Sequence, residues 1–138
     1  RAKGWEIWRL DAEMTLHDAA MTRFGQWWQR TRRGGYAFAE GAMLHGAAPE
    51  RHCVPNLRRL IVWGMVLPLV TVLGAVITPW ALALLLVWPA QMLRLRLRGM
   101  PWHRAVFLTL SKLPEAHGAL SYVRHRLSRT RARLIEYK

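Results

Sequence analysis

Leu60-Ile61-Val62-Trp63-Gly64-Met65-Val66-Leu67-Pro68-Leu69-Val70-Thr71-Val72-Leu73-Gly74-Ala75-Val76-Ile77-Thr78-Pro79-Trp80-Ala81-Leu82-Ala83-Leu84-Leu85-Leu86-Val87-Trp88-Pro89-Ala90-Gln91-Met92-Leu93 runs for 34 residues without an Asp, Glu, Lys, Arg or His. No water-soluble fold needs such a run, so a simple cytosolic globule is excluded. As one straight helix it would be about 51 Å long, against a hydrocarbon core of about 30 Å. That is too long for one span and slightly short for two. Pro79, preceded by Thr78, lies near the middle and is a natural break. The pattern predicts two helices, over about 60–77 and 80–97, joined by a tight turn. The second must borrow Arg94, Arg96 and Arg98, whose long stems can reach the headgroups. Trp63, Trp80 and Trp102 then fall near the interfaces, where indole rings are favoured.

Charge sets the orientation. Arg58 and Arg59 precede the run, and Arg94, Arg96, Arg98 and Arg104 follow it. Basic residues on both flanks place both ends in the cytoplasm and make the run a transmembrane hairpin. The alternative is a single tilted, Pro-kinked span with its ends on opposite sides, which would leave one basic cluster outside.

Around the hairpin, residues 1–59 carry ten Lys/Arg and six acids, while residues 94–138 carry eleven Lys/Arg and only Glu115 and Glu136. The formal net charge of the 138-residue chain is +13. A soluble domain this basic would point to nucleic acid. No nucleic-acid motif accompanies the charge, and an apolar run stands beside it, so a membrane partner is expected and a nucleic-acid partner is not. The single cysteine, Cys53, excludes an intramolecular disulfide framework and any multi-cysteine zinc site. The chain opens on Arg1-Ala2-Lys3, without an initiator Met, and reads as the tail of something longer.

Upstream of the hairpin, Trp5-Glu6-Ile7-Trp8-Arg9-Leu10 suits a short strand. Asp18 can cap a helix over about 19–33, closed by Gly34-Gly35. On that helix Ala20, Phe24, Trp27, Trp28 and Thr31 share one face, and Arg23, Gln26, Arg30 and Arg33 another. Tryptophans beside arginines suit a helix at a membrane surface. Packing onto a soluble core is the alternative. Downstream, Leu120, Val123, Leu127 and Leu134 recur at three-four spacing among Arg124, Arg126, Arg129, Arg131 and Arg133, an amphipathic basic helix suited to an anionic leaflet.

Chemical signals in the residues themselves are sparse. There is no glycine-rich phosphate loop, serine elbow or zincin pair. His45, His52 and Cys53 are ligands by type, but their spacing fits no standard metal site and reads as a chance cluster. His17 ends a run, Asp11 to Asp18, that holds three acids. It can serve as a metal ligand, a general base or a solvated neighbour of a helix cap.

Three stretches are similar to one known family. Arg1-Ala2-Lys3-Gly4-Trp5-Glu6-Ile7, then Leu10-Asp11-Ala12-Glu13-Met14-Thr15-Leu16-His17-Asp18-Ala19-Ala20-Met21, then Phe24-Gly25-Gln26-Trp27-Trp28 resemble the end of the GT-A catalytic domain of membrane-anchored bacterial family 2 glycosyltransferases. Lys112-Leu113-Pro114-Glu115-Ala116-His117-Gly118 and Leu134-Ile135-Glu136-Tyr137-Lys138 resemble the tails of such proteins. The resemblance implies transfer of a sugar from a nucleotide-sugar donor to an acceptor hydroxyl, lipid-linked or on a polysaccharide, at the bacterial inner membrane. It implies a divalent metal, Mn²⁺ or Mg²⁺, held by a DxD motif, with a later acidic motif supplying the base. His17 takes the place of the family's late metal or diphosphate ligand by order and context. Arg30 and Gln26, with Arg23 or Arg33, would face the diphosphate. The contrary reading rests those arginines on lipid phosphates. Neither the DxD nor the acidic motif is in this sequence, and Asp11 and Glu13 stand on the wrong side of the expected order to replace them. The chain alone is therefore expected to be inactive.

The expected fold class is mainly α: the end of an α/β GT-A domain followed by interfacial helices and a two-helix transmembrane hairpin. The divisions are a catalytic-domain remnant over 1–35, a juxtamembrane segment over 36–59, the hairpin over 60–98 and a basic cytoplasmic tail over 99–138. The alternative is a small non-enzymatic membrane scaffold.

Overall fold

The computed structural model describes residues 21–128. They form five helices, with no strand among the described residues: α1 (Phe24–His45), α2 (Val54–Ile77), α3 (Pro79–Leu97), α4 (Trp102–Leu110) and α5 (Lys112–Leu127). The mainly helical expectation holds. The strand expected over 5–10, the Asp18 cap, His17 and Leu134 lie outside the described residues.

The chain reverses where the sequence places the break. Thr78 is extended (φ −150°, ψ 132°), the conformation a residue before proline prefers. Its N–H still donates to the Gly74 carbonyl at 2.8 Å, and Ala81 N–H donates to the Thr78 carbonyl at 3.1 Å, which makes the turn tight. Gly74 allows the approach, since a Cβ there would lie 2.8 Å from the Ala81 methyl.

Both α2 and α3 depart from regular α geometry, and in α2 a proline accounts for it. Pro68 has no N–H, so the Gly64 carbonyl loses its i+4 donor. The helix responds with a π segment over Val62–Val66, in which Leu67 N–H reaches back to the Val62 carbonyl. In α3, Pro89 removes the donor for Leu85, and the preceding Pro79–Leu86 is wound as a 3₁₀-helix. Its larger rise lengthens a run that is short for its task. Pro79–Leu93 covers about 26 Å, and Leu60–Ile77 of α2 about 27 Å. The two apolar lengths therefore match each other, and each comes close to a hydrocarbon core. α3 ends in a full Schellman motif: Gly99 (φ 88°) donates to the Arg96 carbonyl at 3.0 Å and Met100 to Leu95 at 3.2 Å, with Pro101 next.

Two helices are thus long and apolar enough to cross a membrane. Neither is the buried core helix of a globule. α3 buries no residue, and Val76, Ile77 and Trp80 at the hairpin tip are 84–86% exposed. A continuous apolar surface of that extent needs a covering other than water.

The packed core lies at the other end, where Ala39, Leu60, Ala119 and Tyr122 meet Tyr36, Phe38, Leu57 and Met65. Here the helix expected over 19–33 is corrected. α1 does not stop at Gly34-Gly35 but continues to His45. Gly35 is buried because α5 crosses there: a Cβ on Gly35 would run into the Glu115 carbonyl, and one on Gly118 into the Arg32 carbonyl. The pair lets two backbones touch, and the packing gained outweighs the helix-propensity cost of glycine. Gly64 of α2 does the same toward Lys112 and Ala116. α5 is therefore held by glycine contacts on two sides. As far as Leu127 the tail closes onto α1 and α2.

Candidate functional site

Gln26 organises the first turn of α1. Its Oε1 accepts from the backbone N–H groups of Thr22 and Arg23, both at 3.1 Å, filling the role of a capping residue. That use ties Gln26 to the helix end. Phe24, Trp27 and Trp28 follow as an aromatic cluster, with centroid separations of 5.1, 6.0 and 6.4 Å. Trp27 also meets Phe107 of α4 edge to face at 5.1 Å. The tryptophan face of α1 is thus packed against protein at Trp27, while Phe24 remains 62% exposed.

Between α1, α4 and the start of α5 lies a groove of about 720 Å³. Phe24, Trp27, Phe38 and Phe107 form its apolar walls, and Gly34, with open space where a Cβ would be, leaves room between them. Arg23, Arg30, His103 and Arg104 line it as well, with Glu115 at the α5 side. Both Glu115 oxygens accept from Lys112 Nζ, at 2.9 and 2.6 Å, so its charge is already matched. The groove therefore presents a net cationic rim over an aromatic wall. Aromatic faces take sugar rings or hydrocarbon, and guanidinium forks take phosphate oxygens.

The structure brings Arg30 and Arg23 to this groove, while Arg33 does not line it. Arg104, Phe107 and Glu115 were not legible as groove residues. They come from the far side of the hairpin, and no local pattern links them to α1. His45 and His52 lie close together, their ring centroids 6.4 Å apart, beside Cys53. Among the described residues, however, no group of three or more His, Cys, Asp or Glu side chains could hold a metal ion.

No family model, curated protein or solved structure matches the chain.

A second aromatic site sits on the outer side of the α1–α5 crossing. Tyr36 packs against Tyr122 at 5.3 Å and against the His125 ring at 5.8 Å. Burial first, then the charges of Glu40 and Tyr122, raise the Tyr36 phenol above its ordinary range. Tyr122 in turn accepts from Arg126 Nη1 at 3.2 Å. The cluster is structural: it fastens the last turns of α5 to α1.

Proposed function

We propose that this chain is the membrane-anchoring C-terminal part of a bacterial inner-membrane family 2 glycosyltransferase. The observation that carries the reading is the arginine-lined aromatic groove, built from segments on both sides of two exposed apolar helices. The resemblance of residues 1–28 to the end of a GT-A domain supports it, because α1 continues directly from that segment into the groove. A catalytic domain ending at α1 would meet the membrane at this groove.

In this reading the upstream domain binds the nucleotide-sugar and carries the DxD and the catalytic base. The leaving nucleoside diphosphate gains charge as the glycosidic bond breaks, and fixed cations stabilise it. Arg30 and Arg23, together with Arg104, which lines the same groove, would supply such charge. The metal that the resemblance implies would be held by the upstream DxD and would neutralise the diphosphate there. His17 is the one position of this chain proposed to assist it. The spans hold the groove at the headgroup level, within reach of a lipid-linked or polysaccharide acceptor.

The test is turnover. The protein encoded by the full reading frame, reconstituted in membranes, is expected to transfer sugar from a nucleotide-sugar, while residues 1–138 alone give none. In the same assay His17→Ala should lower activity or metal affinity about 10–100-fold, and His45→Ala should leave both unchanged. Turnover by the chain alone, or a reading frame without a DxD upstream, would leave the non-enzymatic scaffold in its place.

A further inference from the structure

A second cavity, of about 420 Å³, lies between the basic ends of α2 and α3, with α4 and α5 completing its wall. Arg59 and Trp63 line it from α2, Gln91 and Arg94 from α3, and Lys112 from α5. Three cations face one space. Lys112 is matched by Glu115. The guanidinium groups of Arg59 and Arg94 have no hydrogen-bond or ion-pair partner among the described residues, so their donors are open to a ligand. Two forked donors and the Gln91 amide around one cavity match the oxygens of a phosphate.

The geometry points to a binding site for the phosphate of an anionic membrane lipid. The choice of a lipid over free phosphate rests on where the cavity lies. Trp63 is one turn inside α2 from Arg59, and Gln91 is one turn inside α3 from Arg94, so the cavity straddles the limit between charged and apolar sequence. An indole ring at that limit is suited to the headgroup level. Beyond it α2 and α3 expose Val66, Leu69, Leu85 and Leu86, apolar surface along which acyl chains can lie. A basic pocket between spans at their cytoplasmic ends is a recurring way to hold a lipid headgroup. Bound there, the lipid would bridge the two spans, which otherwise touch chiefly near their turn. The inference rests on the membrane reading of α2 and α3, and does not depend on the glycosyltransferase reading.

The full chain, purified in detergent and offered phosphatidylglycerol, phosphatidylcholine or inorganic phosphate in turn, is examined by native mass spectrometry. One phosphatidylglycerol per chain should survive transfer, and phosphatidylcholine should not. Arg59→Gln with Arg94→Gln should cut retention by about tenfold or more, as loss of charge-assisted hydrogen bonds requires. Arg58→Gln with Arg98→Gln removes the same charge from the same helices outside the cavity and should retain the lipid. Equal loss in both pairs would overturn the site in favour of general surface charge. Inorganic phosphate held with the same arginine dependence, without lipid retention, would overturn the lipid as its source. Carbonate extraction of membranes reports the spans separately. An inserted chain that retains no lipid overturns this site alone, whereas a chain that carbonate removes overturns the membrane reading as well.

Discussion

Gly34 and Gly35 are adjacent in sequence and opposite in consequence. Each costs about 1 kcal/mol in a helix interior relative to alanine. Gly34 faces open space, with no atom near the position of a Cβ, whereas Gly35 faces the Glu115 backbone. Gly34→Ala is therefore expected to stabilise the chain by up to about 1 kcal/mol. Gly35→Leu or Gly118→Leu should force α1 and α5 apart and cost about 3 kcal/mol or more, since the obstacle is backbone and cannot rotate away. Thermal unfolding in detergent checks both signs, and similar shifts for Gly34→Ala and Gly35→Leu would refute the crossing. From the sequence alone a Gly-Gly pair reads as a helix stop, because its usual local role is the αL cap. What decides otherwise is Glu115, eighty residues away, which no local pattern can supply. His17 belongs to the same scale and remains a reading of sequence context, since it lies outside the described residues.

At the scale of the elements, the hairpin was the most legible part of the chain. An uncharged run, one central proline and arginines at both ends are local signals, and they predict the observed turn at Thr78-Pro79 within a residue or two. Left out of that pattern was how each span reaches its length. The π segment near Pro68 is a backbone adjustment to a missing N–H donor, and the larger rise of the 3₁₀ stretch before Pro89 brings two unequal helices to similar apolar lengths. The same geometry bears on topology. Reporter fusions after Arg59 and after Arg98 should both report the cytoplasm, and one at Pro79 the far side. Opposite locations for the first two would restore a single kinked span.

The whole molecule adds a constraint that neither residue nor element contains. α1 precedes the spans and α5 follows them, yet their contact is the most extensive between any two helices among the described residues. If α2 and α3 cross a membrane, segments that pack on each other must lie on one side of it, so this contact and the paired arginines would both require the hairpin. It also makes the cap before and after the spans one folding unit. The buried face of α1, Gly35 and Ala39, is covered by α5, and Leu60 at the head of α2 is sealed in the same core. A chain ended after Arg98 would lose that cover while keeping both apolar spans. Such a truncation should still resist carbonate extraction, because insertion depends on the apolar lengths of α2 and α3. Its α1 should become open to added protease, since an isolated helix with glycines at its centre has little stability of its own. In the intact chain the same protease should leave α1 uncut under identical conditions. Equal resistance of α1 in both chains would mean that α1 is held by something other than α5, and the folded cap would have to be abandoned.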